Sequence, residues 1–213
     1  AALAVMLATY SIVRIVALQT AINGMSLSDP AQRYATFEKA IAMDPANATL
    51  EWGFAKDLLS NKQYAGSAMH FRLAIDKGKA TSIDYTRLSI AQALGGDLDS
   101  AESTIREALR AYPRSAFLYA RLAYILDRNG RPVESAKVLD RAVALDRGQA
   151  LSWWNFMTKG GAVAAKEAFD QKLPPLMELM PREAIYAIKD EREALHPEEK
   201  MTLPGFDSPF GGS

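Results

Sequence analysis

The chain repeats itself every 34 residues, and no other feature limits its fold as much. Ala40, Ala74, Ala108 and Ala142 fall at that step, as do Phe37, Phe71, Ile105 and Leu139. Phe54, Leu88, Leu122 and Phe156 form another series, with Ala55, Ser89, Ala123 and Met157 one position later. Pro45, Lys79, Pro113 and Arg147 make a further one, reached a fifth time at Pro181. A period of this length is the mark of one helical pair per repeat, and such a pair cannot bury its apolar face alone, so neighbours must stack. The small residues at 55, 89 and 123 let two helices approach closely, while the large residue before each fills the gap beside them. Turn signals separate the helices, "SNKQ" at 60–63, "GGDLD" at 95–99 and "RNGRP" at 128–132. Pro45 and Pro113 close their units, because proline lacks an amide donor and disfavours helix in the residue before it.

The period, with its order of bulky residue, small residue, turn, alanine-rich second helix and closing proline, resembles the tetratricopeptide repeat (TPR) family. "LYARLAYILDRNGRPVESAKVLDRAVALD" (118–146) and "EWGFAKDLLSNKQYAGSAMHFRLAI" (51–75) carry that resemblance best. It implies an all-α fold, a TPR-type α-solenoid with three full repeats at 48–81, 82–115 and 116–149. Partial repeats flank them, among them a lone second helix at 33–43. Two departures stand out: Glu51 occupies the usual first aromatic position beside Trp52, and Gln92 sits where a large apolar residue is expected. The family resemblance also implies a protein-binding groove lined by the first helix of each repeat. On this chain the implied groove residues are Trp52, Lys56, Arg87, Ile90, Phe117, Arg121, Tyr124, Trp154 and Asn155, with Thr49, Gly53, Ile83, Thr86, Ala120 and Leu151 alongside. Aromatics mixed with Arg and Lys are enriched at binding hot spots, and an extended or helical segment with apolar anchors and a few acids would fit them. The plainer reading is that Trp52, Phe117 and Trp154 pack against adjacent repeats. The asparagine positions of the subgroup that clamps chaperone carboxylates correspond here to Lys56 and Arg87, which argues against that ligand.

Charge and composition exclude several functions. Twenty-five basic and twenty-five acidic residues cancel, leaving no global field for nucleic acid. There is no cysteine and there are two histidines, which removes thiolate zinc sites and cysteine nucleophiles and makes histidine-rich metal chemistry a poor fit. The glycine and histidine motifs of nucleotide-binding, zinc-hydrolase and serine-hydrolase sites do not occur. "GGDLDSAE" (95–102) is a helix turn with Asp97 or Asp99 near the next helix start, not a phosphate or calcium loop. His70 and His196 read as packing or surface residues, and "KDERE" (189–193) as a solvated helix face. No enzyme activity, cofactor, metal or small-molecule substrate is therefore expected.

The two ends are less regular. Residues 1–22, "AALAVMLATYSIVRIVALQTAI", carry one charge, Arg14. Residues 14–24 occupy the slot of a first helix, but residues 1–13 protrude beyond the array and are apolar on every side, as in a core or a bilayer. Thirteen residues of helix reach about 20 Å, short of a ~30 Å hydrocarbon layer. The expectation is a single-pass anchor in a bacterial-type inner membrane, with residues 1–13 in lipid and the repeats in the adjacent aqueous compartment. A buried first helix and a retained targeting segment are the alternatives. After residue 149 the period weakens: "ALSWWNFMTK" (150–159) reads as a first helix, "AVAAKEAFDQKL" as a helix stopped by Pro174-Pro175, and "PREAIYAIKDEREAL" (181–195) as another. The expected organisation is an apolar helix at 1–23, the array at 24–149, a degenerate repeat with capping helices at 150–200, and an extended tail at 201–213 that lies along another surface. Functionally, the sequence points to a non-enzymatic, membrane-anchored scaffold or assembly subunit that binds protein partners of a membrane complex. One alternative is the last membrane helix and repeats of an O-antigen ligase- or polymerase-like enzyme. Another is a soluble adaptor.

Overall fold

A computed structural model describes residues 2–160, 170–173 and 182–198, and the side chains of residue 6 and of residues 8 onward within them. The expected helix at 162–173, the Pro181 position and the tail at 201–213 lie wholly or largely outside the described residues. The described helices are α1 (Ala2–Met25), α2 (Pro30–Met43), α3 (Ala48–Ser60), α4 (Tyr64–Asp76), α5 (Ser82–Leu94), α6 (Leu98–Ala111), α7 (Ala116–Arg128), α8 (Pro132–Leu145), α9 (Arg147–Lys159) and α10 (Arg182–Leu195). No strand occurs among the described residues. Two compact units divide the chain, Ala1–Ala91 and Gln92–Ser213.

Local chemistry sets the helix ends. Asp29 accepts from Ala31 N–H ahead of Pro30, Asn47 from Thr49 N–H, Asp97 from Ser100 N–H, Ser115 from Leu118 N–H and Asp146 from Gln149 N–H. Each satisfies an amide that the first helical turn leaves without a partner. Asp97 is therefore the helix cap expected of "GGDLD", and the bonds from Ser100, side chain then backbone, hold its carboxyl below the usual range. At the other end α3, α5 and α7 stop in one way. Lys62, Gly96 and Gly130, spaced by the repeat, have φ of +60°, +88° and +72°. The next residue's amide then bonds back five residues, Gln63 to Leu58, Asp97 to Gln92 and Arg131 to Leu126.

In the first unit the core gathers Ala17 and Ala21 of α1, Phe37 and Ala40 of α2, and Leu50, Phe54 and Leu58 of α3. The rings of Phe37 and Phe54 stack with centroids 5.2 Å apart. The small-residue series allows an interhelical hydrogen bond: buried Ser67 on α4 donates to the Ala55 carbonyl at 2.8 Å. The second unit repeats the device, with Ser135 on α8 donating to the Ala123 carbonyl at 2.8 Å. There α7 is the central helix, and every residue from Ala116 to Leu126 is buried except Tyr119.

The membrane anchor expected in residues 1–13 is corrected by the structure. Among the described residues no helix is long and apolar enough to cross a membrane. The reason lies in the second half of α1, which is committed to the array: Ala17 and Ala21 pack in the core, and Arg14 pairs with Asp44 at 3.3 Å. Polar side chains interrupt it further, Gln19 donating to Asn23 and Thr20 to the Val16 carbonyl. Its outer face does keep apolar residues exposed, Ile15 at 66%.

"KDERE" also differs from the expectation, since Glu191 and Arg192 are buried. Glu51, the departure from the aromatic position, is a buried carboxylate with two basic partners. His70 Nδ1 lies 2.6 Å from its Oε2, and Lys77 Nζ donates to its Oε1. Burying a carboxylate is tolerable only with such partners. His70 also packs on the Phe54 ring, so it is a structural histidine.

Candidate protein-binding surface

The groove residues named from the sequence fall in two groups, one in each unit. In the first unit Trp52, Lys56 and Arg87 come together. The Lys56 ammonium and the Arg87 guanidinium lie 5.0 Å and 4.8 Å from the centroid of the half-buried Trp52 ring. A residue that sequence reasoning did not assign to the groove joins them, since Lys79 sits 5.0 Å from the same centroid. Cations at this range are held by the negative face of the indole. Ile90 is fully buried and so takes no part in an open surface.

The indole is fixed from the next repeat. Its Nε1–H donates to Asp84 Oδ1 at 2.9 Å. Asp84 Oδ2 accepts from Thr81 N–H at 3.0 Å and from the Thr81 hydroxyl, while Asp84 N–H reaches back to Thr81 Oγ1 at 3.3 Å. This reciprocal pair is a capping box at the start of α5, and one carboxylate both starts a helix and orients Trp52. "TSID" at 81–84 carries the signal, a threonine followed three residues later by an acid.

The second group is arranged differently. Phe117, Arg121, Tyr124 and Asn155 are buried, and Trp154 is half-buried. Phe117 packs on Trp153 with ring centroids 4.3 Å apart, so its ring is core. Arg121 is buried against α10, where its guanidinium holds the Glu191 carboxylate through both terminal nitrogens, Nη2 to Oε1 at 2.9 Å. Arg128 reaches the same carboxylate at 3.4 Å, and Arg192 donates to the Met157 carbonyl of α9 at 3.0 Å. The Tyr124 ring lies 5.4 Å from the Arg121 guanidinium, and burial together with the Glu191 charge raises its phenol pKa. The buried Ser152 Oγ and Asn155 Nδ2 have no hydrogen-bond partner among the described residues. The surroundings of Arg121 are thus covered by the chain's own helix. Nothing near Arg121 in sequence announces Glu191, which lies 70 residues on. Among the described residues no cluster of His, Asp and Glu could hold a metal ion.

No family model matches the sequence, and no curated protein matches it. Solved structures do resemble the fold. The chain is similar to the MamA protein, at 13% identity over 90% of this chain and 97% of that one, with a TM-score of 0.54. MamA from residue 41 to its end, from Desulfovibrio magneticus RS-1, is similar at 14% identity over 78% and 94%, with a TM-score of 0.53. TTC0263, a thermophilic TPR protein in Thermus thermophilus, aligns at 17% identity over 86% and 99%, with a TM-score of 0.49.

Proposed function

The chain has the tetratricopeptide-repeat fold, and from that premise we propose that it is a non-enzymatic scaffold that holds other proteins. One observation carries the reading: Lys56, Lys79 and Arg87 gather on the half-buried indole of Trp52. An aromatic anchor ringed by basic groups is the composition of a protein-binding hot spot rather than of a reaction centre. Of the groove residues inferred from the sequence, Trp52 and Lys56 are the ones proposed to meet a partner, while Arg87, which is buried, is proposed to brace the indole from within. Phe117, Arg121, Tyr124 and Asn155 are buried within their own unit, and there they are proposed to shape the surface from beneath, with Trp154 at its margin.

The test places a photo-cross-linking amino acid at Thr49, which is exposed and one turn before Trp52 and Gly53 on α3. Irradiation in cells is expected to give discrete adducts with other polypeptides, lost when Trp52→Ala is added. A chain that remains at its own mass after irradiation sinks the proposal.

A further inference from the structure

We propose that the chain pairs with a second copy of itself through the outer face of α1, the two helices lying parallel and in register along Ile12, Ile15, Gln19 and Ile22. The inference goes beyond the protein-binding reading of the Trp52 cluster and uses none of its residues. Among the described residues eight of the twelve exposed large hydrophobic side chains belong to α1, so they form a patch rather than isolated contacts with water. Exposed surface elsewhere in the chain is built from charges, as where Glu102, Arg106, Arg131 and Glu134 interlock. The one charged residue of α1 is Arg14, and it pairs with Asp44.

The spacing of the patch says what covers it. Ile12, Ile15, Gln19 and Ile22 follow at intervals of three, four and three residues, the seam of a helix that pairs with another helix. The three isoleucines are 60%, 66% and 57% exposed. Ala17 and Ala21, which hold α1 to the core, lie on the opposite side, so a second helix can occupy the seam without disturbing the array. A parallel, in-register pair sets isoleucine on isoleucine and Gln19 on its own counterpart. That match singles out a second copy. Gln19 donates through Nε2 to Asn23, which leaves its carbonyl oxygen and second amide hydrogen for the glutamine opposite. An apolar helix of another protein would leave that amide against hydrocarbon. The area suffices. From Met6 to Met25 the helix is about 30 Å long and 10–12 Å across, so covering one long side hides roughly 500 Å² per copy and reaches the ~1,000 Å² in total of a specific interface.

Sedimentation equilibrium of the full chain is expected to give twice the monomer mass at high concentration and the monomer on dilution. Ile15→Glu with Ile22→Glu sets like charges along the seam, and the dissociation constant is expected to rise about tenfold or more. Circular dichroism verifies that the helices of this double variant are intact. Val133→Glu, at an exposed apolar position on α8, is expected to leave the mass unchanged. The chain has no cysteine, so Ile15→Cys supplies a single thiol, and mild oxidation is expected to link two copies through it. A chain that is monomeric at every attainable concentration overturns the inference. So does a mass above two copies, a dimer that the double variant leaves intact, or one that Val133→Glu dissolves equally. An oxidised Ile15→Cys chain that stays at the monomer mass overturns it too, since the helices then do not run in register. A monomer that floats with phosphatidylcholine–phosphatidylglycerol vesicles, and no longer does so in the double variant, assigns the face to lipid and rejects self-pairing. Adducts of other polypeptides at Thr49 alongside any of these negative results would leave the scaffold reading standing.

Discussion

Glu191→Ala would leave the Arg121 guanidinium in the interior of the second unit without its carboxylate. A buried charge stripped of its partner costs about 3–5 kcal/mol, whereas replacing both partners by apolar residues of similar size is near neutral. Urea unfolding is therefore expected to show a large loss of stability for Glu191→Ala and a much smaller one for Arg121→Met with Glu191→Leu. Tyr124 offers an independent measure of the same environment. Burial, then the Glu191 charge, raises its phenol pKa above the ordinary 10.0. The neutral phenol is thus favoured in the folded state, and its contribution is complete below the unfolded-state pKa and lost as pH rises through the folded one. Alkaline titration by absorbance should show a late-ionising component to which Tyr34, also raised by burial and the Asp57 charge, contributes as well, and Tyr124→Phe should diminish it by one tyrosine; that variant should lose less stability between neutral and strongly alkaline pH. A Tyr124 that titrates with the exposed tyrosines would refute this account.

The helical repeat is legible in the amino-acid sequence because its constraints are local. Small residues at 55, 89 and 123, turn residues between helices and closing prolines each follow from the immediate geometry of a helix pair. The stop of α3 shows how far that legibility extends: Gly96 and Gly130 fill the left-handed position in two repeats, and Lys62 fills it in the first. A side chain there strains the backbone by roughly 1 kcal/mol. Lys62→Gly is accordingly expected to raise the thermal midpoint, and an unchanged or lower midpoint would show that the lysine stem offsets the strain. The first helix misleads for a related reason. Apolar residues on every side do not reveal which face packs, and the informative pair is Ala17 and Ala21, one turn apart and buried in the core. At the candidate site, Trp52, Lys56 and Arg87 follow from their places in the repeat. Lys79 reads only as a unit boundary, and Glu191 is brought to Arg121 by tertiary packing that no short window of sequence encodes.

Each unit has its own buried cluster and its own indole reporters, Trp52 in one and Trp153 with Trp154 in the other. The stability of stacked repeats is close to a sum of local terms, so a single two-state transition is not guaranteed. In a Trp52→Phe background the emission reports the second unit alone. Adding Glu191→Ala should move that transition to lower urea, while adding Lys62→Gly should leave it in place. A shift of that transition to higher urea by Lys62→Gly would mean that the array unfolds as one block. The burial of α7 has a practical corollary of its own. A helix enclosed from Ala116 to Leu126 offers its amide protons few routes to water, so deuterium should enter there last. Anyone grafting part of this chain onto another scaffold should make the splice well away from that helix, because a cut beside it would strip away the cover on which its apolar surface depends.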